Sequence, residues 1–260
     1  MTHSIHPSAI ISAHATLGNN NKIAAHVIIE DDVVLGDNNI IMSGAILKSG
    51  SRLGNHNTIH EYAVIAGLPQ DLGFEIQTKS YVEIGNHNNL REYVTLNRAS
   101  KENQSTRIGD HNYLMSYCHI AHDCQLANHV IMAPSAALGG HVHVDDRAFI
   151  SGGVMVHQFV HIGSLAMIGG NSKITQNVLP MMITDGNPAR LRGLNIVGLR
   201  RNGYKTSDIR DLKKVYHLIA DAKLSLENTL LALRNLNNDL AASYADFIEF
   251  SDRGFHRPKD

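Results

Sequence analysis

An aliphatic side chain returns at every sixth position over most of this chain. The register runs Ile5, Ile11, Leu17, Ile23, Ile29, Leu35, Ile41, Leu47, Leu53, Ile59 and Ile65, then resumes as Ile84, Leu90 and Leu96. It continues from Ile108 through Leu114, Ile120, Leu126, Met132, Leu138, Val144, Ile150, Val156, Ile162 and Ile168 to Ile174. Neither a helix nor a hairpin sheet repeats at six; a parallel β-helix built from hexapeptides does. With three hexads per triangular coil, residues 18 apart stack at about 4.8 Å, the spacing of neighbouring strands. The pattern predicts an all-β prism of roughly nine coils over residues 1–186. Gly and Asn follow the aliphatic position in hexads such as Leu17-Gly18-Asn19 and Leu53-Gly54-Asn55, and both tolerate the left-handed backbone of tight corners.

The register breaks twice, giving inserts at 66–82 and 97–106. An insert into a solenoid leaves through a corner as an external loop, where binding groups tend to sit. The pattern ends at Leu179-Pro180, and residues 187–260 are expected to form a C-terminal helical domain. There Ile209, Leu212, Val215 and Ile219 recur at three and four. Ser207 is expected to cap that helix, with Asp208 and Asp211 in its first turn. Ser225 is expected to open a second helix through Leu226, Leu230, Leu233 and Leu236, and Tyr244 to Phe250 a third. Arg190, Arg192, Arg200, Arg201, Lys205, Arg210, Lys213 and Lys214 crowd one stretch, either as a solvated face or as an anion site.

The formal charge of −1 gives no global attraction to nucleic acid or to a membrane surface. No apolar run is long enough to span a bilayer, and because Met1-Thr2-His3-Ser4 leads straight into the repeat no signal peptide is expected. Cys118 and Cys124 lack disulfide or metal spacing, so a reducing, cytoplasmic compartment is expected.

Seventeen histidines invite a search for chemistry. His56, His87 and His111 occupy corner positions and need no role beyond a polar turn. His119, His122, His141 and His157 lie in the second uninterrupted block. The 18-residue coil places His122 beside Gly140, pairing a potential general base with an approachable backbone N–H for an oxyanion. It also stacks Asp123 against His141. Asp123 can fix the His122 tautomer only if a turn bends it round. Cys118 and Cys124 are the available thiol nucleophiles, without supporting neighbours. Three other readings stand beside catalysis: His122 as a satisfied surface histidine, a zinc centre of His119, His122 and His141, or a binding scaffold without chemistry. The zinc set resembles that of hexapeptide-repeat carbonic anhydrases, but His119 and His122 are three apart on an extended strand and face opposite ways.

Five strings narrow the choice: Pro69-Gln70-Asp71-Leu72, His119-Ile120-Ala121-His122-Asp123-Cys124, Gly139-Gly140-His141-Val142, Val156-His157-Gln158-Phe159 and Asn195-Ile196-Val197-Gly198-Leu199-Arg200-Arg201. Together they resemble the acyl-ACP–UDP-N-acetylglucosamine O-acyltransferases, which begin lipid A biosynthesis. The resemblance covers nearly the whole chain. It implies a left-handed helix, a homotrimer with sites between neighbouring prisms, and direct acyl transfer from acyl carrier protein with neither cofactor nor metal. It makes His122 the general base and Gly140 the oxyanion donor. Gln70, Asp71, His119, His141, His157 and Gln158 match positions around sugar and acyl group, and Asn195 and Arg201 match nucleotide contacts. Gly170 matches the end of the acyl groove, where Gly leaves room for longer chains.

Several positions depart from the family's commonest pattern. Gly73 replaces Lys, Asn97 stands where many members have His, Ala99-Ser100 replaces Gly-Thr, Val197 replaces an acidic residue and Asn202 an Arg. These lie around sugar and nucleotide, so a 3-amino analogue of UDP-N-acetylglucosamine, giving an N-acyl product, is the alternative acceptor.

Overall fold

The computed structural model describes residues 4–221 and 223–258; Met1, Thr2 and His3, on which the absence of a signal peptide is read, lie outside the described residues. Among the described residues short strands stack into three faces of 11, 9 and 8 strands, parallel and paired with the strand a coil away except for an antiparallel pair that ends the first face. Ile23 pairs with Ile41, Leu114 with Met132 and Ile120 with Leu138, all 18 apart. From Ile23 to Ile174 every residue of the six-residue register is 5 % exposed or less. Ile5, in the first described coil, pairs with Ile23 on one side and is 42 % exposed.

Corners repeat as regularly as the core. Their second residue takes the left-handed backbone, φ +58° at His56, +61° at Asp123 and +60° at His141. At the edge between the third and first faces, buried Asn21, Asn39, Asn57 and Asn88 each accept the backbone N–H of the equivalent residue one coil on, at 2.8–2.9 Å. This satisfies amide groups that would otherwise be buried unpaired. On the outside of that edge His56, His87, His111 and His129 stack ring on ring, 4.8–5.0 Å apart and within 4° of parallel.

The inserts appear as jumps in pairing distance. Thr58 pairs with Asn89, 31 residues on, and Asn89 with Tyr113, 24 on. Residues 68–80 follow strand Val64–Gly67, and residues 98–104 follow strand Thr95–Asn97. Both strands belong to the second face, so both inserts leave through the same edge, where the second face turns into the third.

The C-terminal part has its own apolar cluster. An antiparallel pair, Met182–Gly186 with Ala189–Leu194, extends the first face, so Ala189–Leu194, expected within the helical domain, is instead a strand of the prism's sheet. Helices α1 (Ile196–Arg201), α2 (Thr206–Ala220), α3 (Leu226–Asn235) and α4 (Asp239–Glu249) follow. The expected stripe of Ile209, Leu212, Val215 and Ile219 is buried, and Ser225 caps α3 by accepting Asn228 N–H. Ser207 is not the cap of α2. The helix begins one residue earlier, at Thr206, and Asp208 reaches back to accept Lys205 N–H at 2.8 Å. The third expected helix starts at Asp239 rather than Tyr244, because Asn238 caps it through Ala241 N–H. Tyr244 is buried, and its hydroxyl donates to Pro180 O at 2.6 Å, tying α4 to the end of the prism.

Candidate active site

The edge between the second and third faces gathers most of the residues singled out in sequence. His119 opens the two-residue strand His119–Ile120 of the second face, and the corner after it carries His122 and Asp123. One coil on come Gly140 and His141, and one further His157 and Gln158. Gln70 and Asp71 lie on the first insert, and Asn97 precedes the second, at the same edge.

Asp123 does bend round. Its left-handed backbone turns the carboxylate onto its neighbour, and His122 Nδ1 lies 2.7 Å from Asp123 Oδ2. The carboxylate is held from the other side by Ser100 N–H at 3.1–3.2 Å, and Asp123 N–H donates to Thr106 Oγ1 at 2.8 Å. Burial alone would raise the Asp123 carboxyl. Hydrogen bonds from His122 and Ser100, with the His141 charge, instead hold it below the ordinary carboxylate range. An anionic Asp123 fixes the proton on Nδ1 and leaves Nε2 free to accept another.

Nε2 faces Gly140. A Cβ on Gly140 would lie 2.8 Å from His122 Nε2 and 2.6 Å from Cε1, so only glycine lets the ring sit there. Gly139 N–H donates to Val156 O and Phe159 N–H to Gly140 O, whereas the Gly140 N–H takes no part in the inter-coil ladder. His141 stands edge-on to His122, stacks on Phe159, and has Nε2 3.6 Å from Asp123. Burial keeps His141 below the usual imidazole value, with the charges of Asp123 and Asp71 opposing. His119 is lowered by burial too and bonds Thr95 Oγ1 through Nδ1 at 2.7 Å. The atoms that converge are therefore those of His122, Asp123 and His141, and the three-histidine zinc set is not brought together within the chain. Both thiols are buried inside the prism rather than presented at this edge. Burial pushes Cys118 up to about 11 and Cys124 to about 12, and both bond core carbonyls.

Around this pair, Asp71 closes its own turn by accepting Gly73 N–H, and His157 and Gln158 are exposed. Asn97 is 5 % exposed, with an Oδ1 that has no hydrogen-bond partner. Thr106 and Thr95 were missed in sequence, and Ser100 was read there only as a departure from the family pattern, not as a partner of Asp123. The residue opposite a site, counted back across an insert, is the signal that finds Ser100.

Three of the expected site residues lie elsewhere. Gly170 is on the edge between the first and second faces, where an added Cβ would meet only Gly152 O at 3.5 Å. Asn195 caps α1, its Oδ1 accepting Gly198 N–H at 2.9 Å and its Nδ2 donating to Leu165 O at 2.8 Å. Asn195 and Arg201 line a cavity over the first face, floored by Ile131, Phe149 and Met167. That face is opposite the His122 edge of the same prism.

A coiled prism with a histidine–aspartate pair over a glycine defines the class first. Residues 32–67 and 105–140 match the bacterial transferase hexapeptide family of six repeats. Residues 177–256 match the family described as UDP N-acetylglucosamine O-acyltransferase, domain 2. The chain is 42 % identical over 190 residues to the acyl-[acyl-carrier-protein]–UDP-N-acetylglucosamine O-acyltransferase of Gloeothece citriformis, covering 73 % of this chain and 68 % of that one. With the enzyme of that name from Burkholderia mallei it shares 36 % over 202 residues, 75 % of this chain and 77 % of the other. The solved UDP-N-acetylglucosamine acyltransferase of Bacteroides fragilis superposes with TM-score 0.94 at 38 % identity, covering 97 % of this chain and all of that one. The corresponding structure from Acinetobacter baumannii gives 0.93 at 34 %, covering 98 % of this chain and all of the other. The chain belongs to the UDP-N-acetylglucosamine O-acyltransferase family.

Proposed function

We propose that this chain transfers an acyl group from acyl carrier protein to the 3-hydroxyl of UDP-N-acetylglucosamine, the first step of lipid A biosynthesis, with His122 as general base. The observation that carries the proposal is the His122 ring, bonded to Asp123 through Nδ1 and presenting Nε2 over Gly140. The sugar hydroxyl attacks the thioester carbonyl as its proton passes to Nε2. The oxygen that gains charge accepts the Gly140 N–H. Collapse re-forms the carbonyl, breaks the carbon–sulfur bond, and the imidazolium returns the proton to the departing thiolate of the carrier. No acyl-enzyme, metal or cofactor enters this sequence.

Asp71, Gln70, His119, His141, His157 and Gln158 are the groups we assign to sugar and acyl contacts along the edge, and Gly170 to the end of the acyl groove. Asn195 and Arg201 are assigned to the nucleotide. Their placement on the face opposite His122 supports assembly of the complete site from two chains, and hence a homotrimer. In this reading the prism of residues 1–186 carries the chemistry, and 187–260 holds nucleotide phosphate and carrier through Arg190 to Lys214. No described helix is long and apolar enough to cross a membrane, and the two free thiols fit the reducing cytoplasm.

His122→Ala tests the base. We expect kcat to fall at least about a hundredfold in a folded protein, since general bases contribute roughly 10²–10⁴-fold. A near-normal rate overturns the assignment. Asn97 favours keeping one second reading: its buried, unpartnered Oδ1 accepts an N–H as readily as an O–H, which leaves room for a 3-amino acceptor.

A further inference from the structure

We infer that the third face carries a divalent transition-metal site formed by His143, Asp145 and His161, apart from the acid–base edge and independent of the acyl-transfer reading. Three groups of His, Asp and Glu among the described residues bring ligand atoms close together. The first, His122 with Asp123 and His141, belongs to the candidate active site. The second, His60 with Glu61 and Glu92, is poorly suited to a cation. Glu92 is already held by Arg91 at 2.8 Å and Ser116 at 2.9 Å, and the Arg91 guanidinium would repel the ion.

Among the described residues, the remaining group forms no ion pair with a lysine or arginine. Val144 and Ile162 are buried, so His143 and His161, each one residue earlier on paired strands, project outward side by side. Asp145 lies just past the first strand, its N–H held by Ile162 O at 2.9 Å. Its Oδ1 lies 3.1 Å from His143 Nε2 and 3.0 Å from His161 Nε2. Histidines stacked on the neighbouring edge lie flat on one another. Here the rings stand 80° apart, which aims both Nε2 atoms at one oxygen. His161 Nε2 is shut off from water and lacks a well-aligned hydrogen bond despite that proximity.

Two imidazole nitrogens and one carboxylate oxygen suit zinc, cobalt or nickel, whereas magnesium and calcium take all-oxygen sets. Ligand atoms around a tetrahedral zinc stand about 3.3 Å apart at ordinary bond lengths, so the pairs here need open by only a few tenths of an ångström. Half-exposed His143 leaves solvent access for a water as fourth ligand. The ring of His161 packs 4.7 Å from that of Phe247, so the ion would stiffen the wall on which α4 rests.

The probe is zinc alone, added to purified full-length protein in competition with a chromophoric chelator, with cobalt absorption reporting the ligand set. Wild type should take up one ion per chain at micromolar zinc or below. His143→Ala and Asp145→Asn should each weaken it at least about a hundredfold, more than loss of an outer partner. His122→Ala should bind as wild type, and His143→Ala, checked for folding by circular dichroism, should keep its acyl-transfer rate. Absence of binding at micromolar zinc overturns the proposal. So does binding that survives both His143→Ala and Asp145→Asn, or that is lost with His122→Ala.

Discussion

Replacing Gly140 by alanine should disable the acid–base pair while leaving both of its members in place. The added Cβ would stand 2.6 Å from His122 Cε1 and 2.8 Å from Nε2, where ordinary contacts begin near 3.4 Å. The imidazole must retreat by about 1 Å, and a misplacement of that size costs on the order of 10²-fold in a reaction that depends on alignment. Retreat also disturbs the 2.7 Å bond to Asp123 that orients the ring. Alanine keeps the backbone N–H, so the loss should come through His122, about 10²–10³ in kcat, or roughly 2.7–4 kcal/mol. The assay is release of carrier thiol under saturating donor and acceptor, on protein whose melting confirms the fold. In a His122→Ala background there is no ring to displace, so adding Gly140→Ala should cost less than about threefold. A folded Gly140→Ala enzyme with near-normal kcat, or a full multiplicative loss in the double variant, refutes the reasoning.

Gly170→Met should fold normally, since its Cβ meets only one carbonyl at 3.5 Å, and should shift preference to shorter acyl donors by about 0.8 kcal/mol per lost buried methylene; an unchanged chain-length profile places the end of the groove elsewhere. Burial favours neutral His119 and His141 in the folded chain. Their stabilisation is therefore complete above the unfolded imidazole value of about 6.5 and is lost as pH falls from there through the folded value. Denaturant titrations at pH 7.5 and 5.5 should show that loss, and His119→Gln should reduce it; an equal slope in the variant removes His119 as the cause.

The prism was legible because its interior admits one side chain per hexad, which forces the six-residue register from Ile23 to Ile174. Counting by 18 also paired His122 with Gly140 and Asp123 with His141. What counting could not supply was the corner itself: the bond from His122 to Asp123 depends on one residue at φ +61°. The convergence of both inserts on that edge was hidden by their lengths, which shift the 18-residue count to 31 and 24. Helix α1 went unread because six residues containing Val197 and Gly198 show no helical period. The strand pair 182–194 was obscured by Gly186, Pro188 and Gly193, residue types depleted from strand interiors. Lys205 gave no capping signal, since the bond comes from Asp208 reaching backwards.

Competition between a hydroxyl and an amine acceptor decides which atom of the sugar nucleotide receives the acyl group. With one carrier-bound acyl donor, kcat/KM is measured for UDP-N-acetylglucosamine and for its 3-amino analogue. The O-acyl product and a preference for the hydroxyl are expected, with the rate on that acceptor collapsing in His122→Ala. A preference of two orders of magnitude for the amine, about 2.7 kcal/mol of transition-state discrimination, would contradict that expectation.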